Sequence, residues 1–220
     1  MQIGFIGYGN MAKALASRWV GHHPIAIGGR NPDKARVLAD ELGGGTRWGS
    51  SADVVRDAQI VVLATRHEGV FEAMDAAGGP SAFADKILID INNPVSGIFD
   101  GEFLNVSYDG LSLAEKIAAY APEAAVVKAF NMCQASVWTM DPPRYDGRKL
   151  VVLYCGNDAA AKDQVVTLIE RIGCDPVDLG ELKYARLLES AAAIVIKLLF
   201  SGRDPHTVLN LIQPEVKPIA

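Results

Sequence analysis

Two glycines and an alanine near the start of the chain, in the run Gly7-Tyr8-Gly9-Asn10-Met11-Ala12, have the spacing G-x-G-x-x-A. That spacing serves anion binding by backbone. Gly7 permits a tight turn, Gly9 leaves room for a pyrophosphate beside the main chain, and Ala12 lets a helix pack closely on the strand before it. Ile3, Phe5 and Ile6 supply that strand, and the alanine, leucine and lysine residues after Ala12 supply the helix. A dinucleotide is the ligand expected. Its kind is decided about 20 residues further on, where a carboxylate takes the ribose hydroxyls or a cation takes a 2′-phosphate. Arg30 stands there, within Gly28-Gly29-Arg30-Asn31-Pro32-Asp33-Lys34. Its guanidinium fork can grip a phosphate and Lys34 can add a point charge, so NADP(H) is expected over NAD. Asp33, following Pro32, is assigned to the first turn of the next helix.

Hydride delivered to a carbonyl or imine also calls for a proton donor. Histidine ionises near neutral pH, and His67 follows a strongly apolar strand at the crevice edge, which makes it one candidate. Lys128, within a later strand, is the other. Each has a plainer reading, a solvated loop imidazole for His67 and a structural ion pair for Lys128. Asn93 and Asn131 end neighbouring strands and could hold ribose or carboxamide groups, though asparagine at a strand end is also ordinary turn chemistry. Cys133, Cys155 and Cys174 are odd in number and widely spaced, with neither a C-x-x-C pair nor matching histidines. Reduced thiols are expected, with no disulfide and no metal site.

These residues need a frame, and the chain spells one out. Strands are expected at 3–6, at Pro24-Ile25-Ala26-Ile27, at Thr46-Arg47-Trp48, at 59–64, at 86–91 and at 125–130. Helices are expected after Gly9, after Asn31, at 51–57, at 69–77 and at 114–120. Alternating strand and helix predicts an α/β fold, a doubly wound, mostly parallel Rossmann sheet. The segments 101–110 and 141–148 read as loops, the second containing Pro142, Pro143 and Gly147. Strands at 150–154 and 176–179 around a helix at 159–172 then predict a smaller C-terminal α/β extension. The last helix, from about Tyr184 to Phe200, is apolar too far around to be a surface stripe, so burial against a second domain or subunit is expected. Residues 1–132 are expected to form the dinucleotide-binding domain and 133–220 a smaller domain completing the substrate cleft.

With 220 residues, half of them apolar, the chain can bury a sizeable core. Its longest apolar stretch near the C-terminus is cut by Lys197, well short of the roughly 18 residues a membrane span needs. A formal charge of −5 without basic runs argues against a nucleic-acid partner. The apolar N-terminal run leads into the glycine turn rather than a cleavage site, so a cytoplasmic protein without a signal peptide is expected.

On these residues the chain resembles the NADP oxidoreductases dependent on coenzyme F420, a deazaflavin hydride carrier. The stretches that carry the resemblance are 7–16 (GYGNMAKALA), 28–35 (GGRNPDKA), 92–95 (NNPV), 126–131 (VVKAFN), 154–162 (YCGNDAAAK), 175–180 (DPVDLG) and 185–190 (ARLLES). The opening alone is also similar to pyrroline-5-carboxylate reductase. The resemblance implies phosphate and pyrophosphate contacts at Gly7, Gly9, Asn10, Met11, Arg30 and Lys34. Tyr8, Asn31, Ala64, Thr65, Asn93 and Pro94 complete the expected cofactor set, and Asn131, Met132, Cys133 and Gln134 would face the acceptor. Gly29 stands where the family often has serine, so a hydroxyl contact is absent and a weaker NADP preference is expected. Arg66-His67 replaces a Pro-Trp pair, which changes shape, charge and proton availability near the nicotinamide.

The activity this implies is hydride transfer between NADPH and a flavin-like or deazaflavin carrier, with a homodimer built on the last helix as the expected assembly. Two alternatives stand beside it: reduction of a small ketone or imine, and a non-catalytic NADP(H)-binding redox sensor.

Overall fold

The computed structural model describes residues 1–96, 104–105 and 110–203. The chain begins β1 (Ile3–Ile6), α1 (Asn10–Trp19), β2 (Ile25–Gly28), α2 (Pro32–Leu42), β3 (Arg47–Gly49), α3 (Ser51–Asp57) and β4 (Ile60–Leu63). It continues through α4 (Val70–Ala76), β5 (Ile87–Asp90), the short pair β6 (Val95–Ser96) and β7 (Leu104–Asn105), α5 (Leu113–Tyr120), β8 (Ala125–Lys128) and α6 (Ala135–Trp138). After a hairpin of β9 (Arg144–Tyr145) and β10 (Arg148–Lys149) come β11 (Val151–Gly156), α7 (Ala159–Ile172), β12 (Asp175–Asp178) and α8 (Ala185–Phe200).

Eight strands form one sheet in the order β12-β11-β8-β5-β4-β1-β2-β3. The six from β3 to β8 are parallel, β11 runs antiparallel to β8, and β12 is parallel to β11. The C-terminal strand-helix-strand unit therefore extends the same sheet. The inner strands are apolar on both faces because both are covered. Phe5, Ile60 and Val62 pack with Trp19, Leu38 and Leu168 beneath α1, α2 and α7, whereas Ile6, Val61 and Leu63 pack with Val55, Met74, Ile117 and Leu188 beneath α3, α4, α5 and α8. The sheet order reverses at β1, which opens the crevice beyond the strand ends on either side of it.

Two loop expectations change. The segment 141–148 carries the β9–β10 hairpin, whose backbone pairs Arg148 with Tyr145 and Lys149 with Arg144. In 101–110, Leu104–Asn105 pairs with Val95–Ser96, and the remainder apart from Gly110 lies outside the described residues. None of these four two-residue strands has an apolar alternation for the sequence to display. Among the described residues no helix is long and apolar enough to cross a membrane, and no cluster of three or more histidines, cysteines or carboxylates is placed to hold a metal.

A file of aromatic rings pins α1 to the far side of the sheet. Phe5 lies 5.9 Å from Trp19, Trp19 5.7 Å from Phe130, and Phe130 5.5 Å from Trp138, centroid to centroid. The Trp19 indole donates to the Leu168 carbonyl at 3.1 Å and so ties α1 to α7, while the buried Trp138 indole nitrogen has no partner among the described residues. Trp19→Phe should accordingly cost roughly 1–3 kcal/mol more than Trp138→Phe in urea unfolding. Equal losses would show that the indole bond contributes nothing.

Candidate functional site

The parallel register aligns the strand ends: Gly28, Ile6, Leu63, Asp90 and Lys128 form one row across the sheet. Each residue with expected chemistry follows one of these ends by a few positions, so the register gathers loops distant in sequence. Gly7, at φ +123°, is required by the protein itself, since a Cβ there would lie 2.3 Å from the Ala64 carbonyl oxygen. Gly9 is required by none of the described residues, because a Cβ there would meet no atom of theirs within 4 Å. The space over Gly9 is open for a ligand. Helices α2, α3, α5 and α7 are capped by the side chains of Asn31, Ser50, Ser112 and Asp158, but α1, which begins at this opening, has no side-chain cap and no acid in its first turn. Its first amides are left free for an anion.

A continuous groove crosses this edge. One recess, about 510 Å³, is bounded by Tyr8, Gly29, Arg30 and Glu72 and meets a second, about 570 Å³, at Gly9, Ala64 and Thr65. Each falls in the range of about 300–1,000 Å³ usual for small-molecule sites. The second is bounded by Asn10, His67 and Asn92, and through Met11, Ile91, Asn93 and Ile196 it joins a third of about 230 Å³. The third has mainly apolar walls: Met11, Ile91 and Met132 face Ala192, Val195 and Leu199 of α8. A side recess beyond Tyr8 holds Lys13 and Lys34. The Arg30 side chain is 74 % exposed, with a contact to Glu72 at 3.8 Å, so it is free to turn onto a phosphate. Thr65 Oγ1 is buried beside the groove without a partner among the described residues. These features fit a dinucleotide.

Beneath the second and third recesses lies a buried charge cluster. Lys128 is 0 % exposed, and its Nζ donates to Asp90 Oδ2 at 2.8 Å, to Glu189 Oε1 at 3.0 Å and to the Asn92 carbonyl. Glu189, on α8, also accepts from the Leu113 and Ala114 amides at 3.0 and 3.3 Å, where the dipole of α5 favours a carboxylate. Asp90 Oδ1 accepts from the Asn92 amide and side chain, and Asn92 Nδ2 also donates to the Leu63 carbonyl. β4, β5, β8, α5 and α8 thus meet at one ammonium.

Above it, Phe130 adopts φ +60°, a strained position for a bulky residue, held by Trp19 and Trp138. The following residue, Asn131, then pairs with Asn93. Asn93 Nδ2 donates to the Asn131 carbonyl at 2.7 Å, and Asn131 Nδ2 donates to Asn93 Oδ1 at 2.9 Å and to the Leu188 carbonyl at 3.1 Å. Cys133 lines the third recess, and burial pushes its thiol up to about 11, so it holds no thiolate at neutral pH. Burial also raises Cys174, to about 11, and Cys155, to about 12.

Of the expected residues, the groove gathers Gly7, Tyr8, Gly9, Asn10, Met11, Arg30, Ala64, Thr65 and Asn93, together with Asn131, Met132, Cys133 and Gln134 at its far end. Lys34 lies in the side recess, Pro94 is buried outside the lining, and Asn31 uses its Oδ1 to cap α2. His67 lines the second recess with its side chain 13 % exposed and Nδ1 3.4 Å from Glu68. Lys128, the other proton-donor candidate, is 0 % exposed, and its Nζ is engaged by Asp90, Glu189 and the Asn92 carbonyl. Sequence reading missed α8 as the groove wall. Its all-round apolarity was the signal: Ala185, Leu188 and Ala192 are buried, Val195, Ile196 and Leu199 line the third recess, and Leu187, Ile194 and Phe200 are exposed.

Residues 2–94 match the family described as NADP oxidoreductase, coenzyme F420-dependent. A crystal structure of a candidate F420-dependent NADP reductase from Arthrobacter sp. FB24 is 33 % identical, with a TM-score of 0.82, over 92 % of this chain and 96 % of that one. The F420-dependent NADP reductase of Methanocaldococcus jannaschii is 26 % identical over 96 % of this chain and 97 % of its own length. The metalloreductase STEAP3 of Rattus norvegicus is 32 % identical over 96 % of this chain, which spans 39 % of that relative's length.

Replacing Lys128 with Met would leave two buried carboxylates without their cation, and the expected loss is about 3–5 kcal/mol in urea unfolding. Combining Lys128→Met with Asp90→Asn and Glu189→Gln should recover part of it. A loss below about 1 kcal/mol for the single variant would contradict the role assigned to this cluster.

Proposed function

Because this chain belongs to the family of coenzyme F420-dependent NADP oxidoreductases, it is an NADP(H)-binding oxidoreductase, and we propose that it passes a hydride between NADPH and a flavin-like or deazaflavin ring. The nature of the third recess carries this reading. Among the described residues its lining contains no lysine, histidine or carboxylate, and the one titratable side chain among them is Cys133. Reduction of a ketone or imine places charge on an oxygen or nitrogen and needs a positioned proton donor. A planar ring held between apolar walls does not.

NADPH supplies the hydride when bound, and the protein's part is to hold, orient and dry the two partners. In this reading the turn Gly7-Tyr8-Gly9 and the first amides of α1, at Asn10 and Met11, hold the pyrophosphate. Arg30, with Lys34 at the side recess, holds the 2′-phosphate, and Asn31 fixes the start of α2 between them. Ala64 and Thr65 bound the ribose side, Thr65 offering the hydroxyl that lacks a partner. Asn93, with Pro94 behind it, bounds the nicotinamide half, where His67 is also placed. Asn131, Met132, Cys133 and Gln134 face the acceptor opposite α8, so α8 completes the cleft begun by residues 1–132. Met11 and Ile196 stand at the junction of the second and third recesses, where their apolar side chains exclude water.

Purified protein mixed with NADPH and an oxidised deazaflavin or flavin should consume the near-ultraviolet absorbance of the reduced nicotinamide. Turnover with small ketones, imines or ferric chelates but with neither ring would overturn the acceptor assignment. Arg30→Ala should weaken NADPH binding by about 10- to 100-fold and leave NADH binding nearly unchanged, as expected for loss of a charged hydrogen-bond pair. Equal losses for the two nucleotides would contradict the phosphate assignment.

A further inference from the structure

Gly29 lacks a side chain for a reason its backbone does not supply. Its φ lies outside the left-handed region, so an L residue could adopt it. The obstacle is a neighbour. A Cβ at Gly29 would lie 2.7 Å from Tyr8 Cε1 and 3.1 Å from Tyr8 Cδ1, the first closer than side chains pack. The Tyr8 ring fills the space that a side chain at 29 would need. Tyr8 is also the partition between two recesses, one containing Arg30 and Thr65, the other Lys13 and Lys34. The turn after β1 and the turn after β2 thus build one wall, a ring resting on a glycine.

We propose that Tyr8 is a specificity-determining residue of the nucleotide groove: seated on Gly29, it sets the width of the slot beside Arg30 and makes any side chain at 29 harmful to nucleotide binding. The inference rests on the groove being the NADP(H) site. A Cβ at 29 is accommodated by moving the ring, and since the ring borders both recesses, either displacement narrows one of them. With residue 8 reduced to a methyl group, the same Cβ loses the ring atoms at 2.7 and 3.1 Å, and every other described atom lies at ordinary contact distance or beyond. A serine hydroxyl there, one residue before Arg30, can donate to a phosphate. The sign of the Gly29→Ser effect is therefore set by residue 8.

The test is a double-mutant cycle on the full chain, with NADPH and NADH dissociation constants measured by calorimetry for the parent, Gly29→Ser, Tyr8→Ala and the double variant. Gly29→Ser in the parent should weaken NADPH by about threefold or more, a coupling typical of residues in contact. In the Tyr8→Ala background the same change should leave NADPH affinity unchanged or raise it, and should raise the preference for NADPH over NADH. Gly29→Ala, with the same Cβ and no hydroxyl, should show the parent's loss and keeps the test valid if the serine variant folds poorly. The same loss from Gly29→Ser in both backgrounds overturns the proposal and leaves the NADP(H) reading standing. A parent protein that binds neither nucleotide overturns both.

Discussion

An ammonium with no exposed atom must be neutralised where it stands, and the third recess of the groove is arranged around how that is done for Lys128. Its partners come from different parts of the chain: Asp90 closes β5, Asn92 begins the loop beside the groove, and Glu189 arrives on α8 nearly a hundred residues later. Burying one cation and two carboxylates is costly unless the remaining lone pairs find donors. They do, in the amides of Asn92, Leu113 and Ala114. The cost of a misplaced partner turns this cluster into a gauge. α8 can dock in one register, and that register brings Val195, Ile196 and Leu199 to the third recess.

The opposite end of the groove is governed by space. Gly7 is small because the Ala64 carbonyl crowds it, Gly29 because the Tyr8 ring does, and Gly9 although none of the described residues crowds it. Three glycines that look alike in sequence thus have three separate causes. The absence of any neighbour at Gly9 among the described residues points outward, to a ligand. The uncapped start of α1 points to the same place, since free helix amides and an open main-chain surface both suit an anion. Between the two ends, the Asn93–Asn131 pair and the strained Phe130 join the second recess to the third.

Much of this was legible in the order of residues. The strand and helix periods, the G-x-G-x-x-A turn and the arginine after β2 report local requirements, and each is satisfied within a few positions of itself. α3 and α7 fall on 51–57 and 159–172 as their patterns imply, because apolar spacing and a capping residue mark both helices. The short pairs β6–β7 and β9–β10 were illegible for the converse reason, since two residues cannot display an alternation. The role of Lys128 was equally hidden. A lysine inside a strand reads the same whether it faces a substrate or two carboxylates, and Glu189 lies too far along the chain to be seen as its partner.

By itself, the sequence determined the doubly wound α/β fold, the turn that can receive a phosphate-bearing dinucleotide, and the preference for a cation at the end of β2. Those properties follow from backbone geometry and from charge types, which are carried by neighbouring residues. The tertiary structure alone decided that the C-terminal unit joins the main sheet, that α8 walls the groove, and that Lys128 is enclosed while His67 is not. Each of these depends on which distant surfaces meet, a matter of packing and charge neutralisation between segments 60 or more residues apart.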